Sequence, residues 1–117
     1  MRHKKANRKL NRPSGQRRAL LRNLVTSLFE HGRVTTTHAR ARELKRMADK
    51  MVTLAKRGDL HSRRQALKVF YKKGVLAELF DSAEEKFGER EGGYTRILKV
   101  GYRKGDNASI SMVELVE

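Results

Sequence analysis

A two-layer α+β domain, in which helices pack on a three-stranded sheet in the order α-β-α-α-α-β-β, is the fold class this sequence predicts. Three observations carry that prediction. Apolar residues recur at spacings of three and four through stretches that end at glycine, as amphipathic helices require. A short β-branched run, Arg33-Val34-Thr35-Thr36-Thr37, interrupts the helical pattern early. A pair of β-rich segments joined by Lys104-Gly105-Asp106-Asn107 comes last. Helices with one apolar stripe each must bury it, and a small sheet supplies the second layer.

The elements follow in order. Residues 1–13 hold few apolar side chains, too few to offset the entropy of ordering them, so they read as an extended basic arm. Pro13-Ser14-Gly15 marks a break, with Ser14 the expected N-cap. Leu20, Leu21, Leu24, Val25, Leu28 and Phe29 then share one helical stripe, flanked by Arg18 and Arg22 four apart. Gly32 is placed to stop that helix, and residues 33–37 form a strand. A second helix runs from near Thr37 to Gly58 with Ala41, Leu44, Ala48, Met51 and Ala55 inward and Arg42, Lys45, Arg46, Lys50, Lys56 and Arg57 on the opposite face in various orientations. Asp59 caps a third helix with Leu60, Leu67 and Phe70 as its apolar residues, expected to end by Gly74. A fourth turns Leu76, Leu79, Phe80, Ala83 and Phe87 inward and stops at Gly88. Glu91-Gly92-Gly93 breaks the chain before strands over residues 94–103 and 109–116. Apolar residues fall on both faces of these strands, so their alternation leaves open which face meets the helices. Residues 14–117 thus read as a single α+β domain without internal repeat, one domain being what 117 residues predict.

Charge supplies the functional clue. The net charge is +15 with a pI near 10.8, the footprint of a nucleic-acid-binding chain. Nine lysines and arginines precede the first acid, Glu30. Residues 1–74 hold 22 bases against four acids, whereas residues 75–93 hold two bases against six acids. A charge carried only for solubility would not segregate this way; one face set against phosphate and another turned from it would. Absence of cysteine excludes disulfides and thiolate metal sites and suits a reducing compartment. No apolar run approaches the ~18 residues of a membrane-spanning helix. The basic N-terminus has no apolar stretch behind it, so it reads as mature chain and not as a signal peptide.

Candidate binding residues fall into three groups. The first is the arm with the start of the first helix: Arg2, His3, Lys4, Lys5, Arg8, Lys9, Asn11, Arg12, Arg17, Arg18 and Arg22. Arginine forks take phosphate bidentately, and Asn11 suits a base edge or ribose. The second group, Lys56, Arg57, Arg63 and Arg64, surrounds a helix junction where backbone donors favour an anion. The third mixes Arg96 and Lys99 with Tyr94 and Tyr102 on strand positions; the tyrosines suit base stacking or core packing equally. His3, His31, His38 and His61 lack a ligand spacing, so no metal is expected. No glycine-rich stretch ends as a phosphate-binding loop does, and no nucleophile has a partnered base, so neither enzyme nor cofactor is expected. An architectural DNA-binding protein is the chief alternative, but no dimer seam or apolar wedge supports it, and no homo-oligomer is expected. A membrane-surface protein would need bulky apolar residues in the arm, which offers only Leu10.

Several blocks together resemble the bacterial large-subunit ribosomal protein seventeen family. They are Met1-Arg2-His3, Arg8-Lys9-Leu10-Asn11-Arg12, Thr35-Thr36-Thr37, Ala41-Arg42-Glu43-Leu44, Leu54-Ala55-Lys56-Arg57-Gly58-Asp59-Leu60-His61, Gly92-Gly93-Tyr94-Thr95-Arg96-Ile97-Leu98-Lys99, Gly105-Asp106-Asn107-Ala108 and Val113-Glu114-Leu115-Val116. The resemblance spans nearly the whole chain. It implies a non-enzymatic structural protein of the cytoplasmic ribosome, bound to large-subunit ribosomal RNA near the rim of the peptide exit tunnel. Its implied neighbours are other large-subunit proteins, numbers twenty-two and thirty-two among them, and the implied fold is the α+β arrangement above. The RNA contacts it carries over fall on Arg2, His3, Arg8, Lys9, Asn11, Arg12, Lys56, Arg57, Arg96 and Lys99. One departure is Pro13-Ser14-Gly15-Gln16, where the family commonly has a serine pair and a histidine.

Overall fold

The computed structural model describes residues 14–116; the arm expected over residues 1–13 and the final Glu117 lie outside the described residues. Its elements are α1 (Ser14–His31), β1 (Arg33–Thr37), α2 (His38–Arg57), α3 (Leu60–Leu67), α4 (Lys73–Phe87), β2 (Thr95–Tyr102) and β3 (Ser109–Leu115). That is the α-β-α-α-α-β-β order expected from the sequence.

Helix α2 is the hub and touches every other element. Its small residues Ala41, Ala48 and Ala55 recur every seventh position on one face, where they let neighbouring elements approach closely, while Leu44, Met51 and Val52 fill the space between. All six are buried, as are Val25 and Leu28 of α1 and Leu76, Leu79 and Phe87 of α4. Each such aliphatic or aromatic side chain contributes about 1.5–3 kcal/mol on burial. The end of α1 is set by Gly32 at φ +87°, whose N–H reaches Leu28 O at 2.7 Å. Gly58 closes α2 likewise, in the left-handed conformation that a residue with a Cβ adopts only at a cost.

Strand β3 lies between β1 and β2 and is antiparallel to both. The register aligns Val34, Val113 and Ile97 in one row and Thr36, Ser111 and Lys99 in the next. That face meets the helices, for Val113 and Ser111 are fully buried. The rows alternating with them carry Arg33, Glu114 and Arg96, then Thr35, Met112 and Leu98, and here Arg33, Thr35, Arg96 and Leu98 are exposed. The structure thus supplies the facing that alternation alone left open. A register shift between Lys99 and Gly101 bends β2 near its end.

Polar contacts tie the two layers. Lys45 Nζ donates to Thr95 O at 2.7 Å and to Asp49 Oδ2 at 3.1 Å, while Thr95 Oγ1 donates to Asp49 Oδ1 at 3.0 Å. His38 Nδ1, at the start of α2, lies 2.8 Å from Ser111 Oγ. The start of β2 is therefore fixed against the middle of α2, and the middle of β3 against its first turn.

The third helix departs from expectation. It ends at Leu67, within the bound set by Gly74 but short of Phe70, which the sequence pattern assigns to it, and Gly74 itself lies in the first turn of α4. Leu60 and Leu67, its two leucines, are 63% and 40% exposed; Ser62 and Ala66 are the buried pair. The cap sets this phase. Asp59 Oδ1 accepts from Ser62 N at 2.7 Å, which turns Ser62 toward α2, and Ala66 follows one turn later. The chain then tightens, with Val69 N and Phe70 N both donating to Ala66 O, and delivers Phe70 into the core 5.5 Å from the Phe29 ring.

Candidate nucleic-acid interface

The fold uses its early acids internally. Glu30 accepts from Lys72 Nζ at 2.5 Å, Asp49 is held by Lys45, Asp59 caps α3, and Glu43 is buried. Hydrogen bonding from Lys72 lowers the Glu30 pKa, and that from Ser62 lowers the Asp59 pKa, so both carboxylates stay ionised. Acids of the later segment lie elsewhere: Glu78, Asp81, Glu84 and Glu85 are exposed along α4, and Glu89 and Glu91 just beyond it. The charge segregation of the sequence is thus also a segregation by element.

The described candidate residues divide by what they touch. Arg18, Arg57, Arg64 and Lys99 are exposed, and no carboxylate among the described residues is paired with them. Arg17 is half-buried in the first turn of α1. Others have structural partners. Arg22 donates through Nε to Val69 O at 3.1 Å and lies over the Tyr71 ring at 4.0 Å. Lys56 donates to Arg90 O and to Tyr94 Oη, the latter at 3.1 Å. Arg63 stacks over Phe80 at 5.0 Å, and Arg96 pairs with Glu114 across the outer sheet face. The candidates of the arm, Arg2, His3, Lys4, Lys5, Arg8, Lys9, Asn11 and Arg12, lie outside the described residues.

The two tyrosines separate. Tyr94 is a core residue, edge-on to Phe87 at 5.8 Å with its hydroxyl donating to Arg90 O at 3.2 Å. Tyr102 is 73% exposed beside the basic turn that holds Arg103 and Lys104. In that turn Asp106 pairs with Arg103 at 2.5 Å, and this hydrogen bond, helped by the Ala108 N–H, lowers the Asp106 pKa to about 2.

The candidate groups take in only Arg57 of one basic surface, whose other members, Arg42, Arg46 and Lys50, the sequence places on the outer side of the second helix without assigning them to binding. Arg42, Arg46, Lys50 and Arg57, with Thr53 among them, are all exposed and follow one another at spacings of three and four along α2. Such spacing keeps them on one face, over a length of about 22 Å at 1.5 Å per residue. The signal was present in the sequence as the reverse side of the Ala41–Leu44–Ala48 stripe. Among the described residues no helix is long and apolar enough to cross a membrane, and no group of His, Cys, Asp or Glu is gathered as a metal site would need. What this surface offers is mostly fixed positive charge on rigid helices, suited to phosphate.

Comparison with known proteins gives one consistent match. A family model described as ribosomal protein L17 matches residues 20–116. Large ribosomal subunit protein bL17 of Desulforapulum autotrophicum is 56% identical over 116 residues, covering 99% of this chain and 97% of that protein. The protein of the same name in Desulfotalea psychrophila is 55% identical over 99% of this chain and 90% of its own length. That of Thermoanaerobacter sp. is 57% identical over 109 residues, 93% of this chain and 97% of its own.

Proposed function

The chain belongs to the ribosomal protein L17 family, and from that membership we propose that it is a structural, non-enzymatic constituent of the large ribosomal subunit that binds and stabilises large-subunit ribosomal RNA. The observation that carries the RNA reading is the internal use of the early acids, which leaves Arg18, Arg42, Lys50, Arg57 and Arg64 exposed on one basic half of the sequence. Charges so placed repel one another in the free protein, and an RNA backbone relieves that repulsion. The body docks by phosphate contacts from α1, the α2 stripe and the α2–α3 junction. The arm over residues 1–13, with its nonuniform sequence of bases, His3, Asn7 and Asn11, then threads between RNA segments and ties them together. The full-length relatives support giving the arm a role, since a match over 116 of 117 residues takes it in.

The same reading puts the protein beside the exit-tunnel rim, with large-subunit proteins twenty-two and thirty-two as neighbours and the acidic face of α4 turned toward solvent or a basic neighbour. Sedimentation tests the core of it. The tagged chain should co-migrate with large subunits through a sucrose gradient and stay with them through a high-salt wash. A chain that remains at the top of the gradient would refute the proposal.

A further inference from the structure

One exposed aromatic is not accounted for by fold or by charge alone. Tyr71, in the connection between α3 and α4, is 46% exposed. Its ring carries the Arg22 guanidinium at 4.0 Å, and neither group is loosely held. Arg22 Nε is tied to Val69 O at 3.1 Å; the Tyr71 N–H donates to Thr26 Oγ1 at 3.1 Å; and that hydroxyl donates to Arg22 O at 2.9 Å. Three hydrogen bonds thus hold a guanidinium plane and a phenol ring together. The Nη groups of Arg22 make no ion pair with a carboxylate among the described residues; Glu30, two turns further along α1, is taken by Lys72. Arg18, one turn earlier on α1, adds an exposed cation on the same side of the helix.

We propose that the Arg22–Tyr71 pair is a preformed platform for one unpaired nucleotide of RNA, the ring taking the base by stacking and the Arg22 Nη groups, with Arg18, taking its phosphate. A pair that served only to pin the α3–α4 connection to α1 would bury its ring, as Phe70 next to it does. Here almost half the tyrosine stays open, next to donors that suit an anion. Stacking is tolerant of base identity, so the platform favours an unpaired position over a particular letter. Its prior ordering removes part of the entropic cost of binding.

The inference rests on the RNA-binding reading, and its test separates the two. The full-length chain bound to large-subunit ribosomal RNA is irradiated with short-wave ultraviolet light and its nucleotide-bearing peptides are mapped by mass spectrometry. An adduct on Tyr71 is expected. Tyr71→Leu and Tyr71→Ala should each weaken binding about tenfold, the loss of one stacked base, while Tyr71→Phe stays within about twofold. The slope of log affinity against log salt should be unchanged in all three, because no charge is removed. Tyr71→Leu keeps the bulk of the side chain, so its melting curve separates a folding defect from a lost contact. Adducts elsewhere with none on Tyr71, or Tyr71→Leu binding as tightly as the parent, would overturn the platform and leave the RNA reading standing. A chain that forms no RNA complex at all would overturn both.

Discussion

Removing the charge from the α2 stripe is the perturbation that reads the proposed surface most cleanly. Arg42, Lys50 and Arg57 are exposed, and none is paired with a carboxylate among the described residues, so the triple substitution to Gln breaks no ion pair in the fold. Glutamine retains most of the helix propensity of Arg and Lys. The identifiable costs are at Arg57: a cation in the last turn of α2 favours the helix C-terminus by about 0.3–1 kcal/mol, and its charge also attracts the Asp59 carboxylate that caps α3. Lower self-repulsion in a chain of net charge +15 offsets part of that. Binding should change far more. Each lost phosphate contact lowers the slope of log affinity against log salt by about 0.7–0.9, so three contacts lower it by about 2–3 units. Over a fourfold rise in salt the parent should lose roughly 15- to 60-fold more affinity than the variant does. Fluorescence anisotropy with large-subunit ribosomal RNA across that salt range measures the slope, and circular dichroism melting measures the fold. Identical slopes for parent and variant would show the stripe to be solvated and would remove α2 from the interface.

Three further outcomes follow from the structure. Phe87→Ala empties a buried site edge-on to Tyr94 and should cost about 3–5 kcal/mol in urea denaturation. The Asp106 pKa, lowered to about 2 in the fold against about 3.9 unfolded, fixes a pH window. Because the folded value is depressed, the contribution of the Arg103–Asp106 contact is complete above about pH 4 and is lost as pH falls toward the folded value, which carboxyl-carbon NMR titration of Asp106 can follow. Deleting residues 1–13 should leave the circular dichroism of the body nearly intact and weaken RNA binding strongly; unchanged affinity would remove the arm from the account.

Some of the architecture was readable because long elements repeat their signal. Twenty residues of α2 give five turns in which Ala41, Leu44, Ala48, Met51 and Ala55 agree on one face. Helix α3 has eight residues, and its two leucines are its least buried apolar positions. Two turns cannot fix a phase, and the residues that do face inward, Ser62 and Ala66, carry no strong apolar signal; the Asp59 cap decides. Sheet facing was unreadable for a related reason: Leu98 and Met112 are as apolar as Ile97 and Val113, and only the position of α2 separates them.

The candidate interface shows the same limit. Basic residues announce themselves in sequence, yet Lys56 and Arg57 are adjacent and do different things. Lys56 reaches Tyr94 and the Arg90 carbonyl, both more than thirty residues away, whereas Arg57 faces outward. Arg63 over Phe80 and Arg64 outward repeat the pattern one helix later. Which of two neighbouring cations is free for a ligand depends on where distant aromatics come to rest. The periodicity of Arg42, Arg46, Lys50 and Arg57, by contrast, needed only the helix.

The most direct measurement is a density map of the large ribosomal subunit from this organism with the chain in place. Phosphate oxygens should lie within hydrogen-bonding reach of several side chains among Arg2–Arg12 and of Arg18, Arg42, Lys50 and Arg57, with the α4 carboxylates pointing away from RNA. A map in which the basic segments meet only solvent, or in which Glu78, Asp81 and Glu85 are the groups nearest the phosphates, would contradict it.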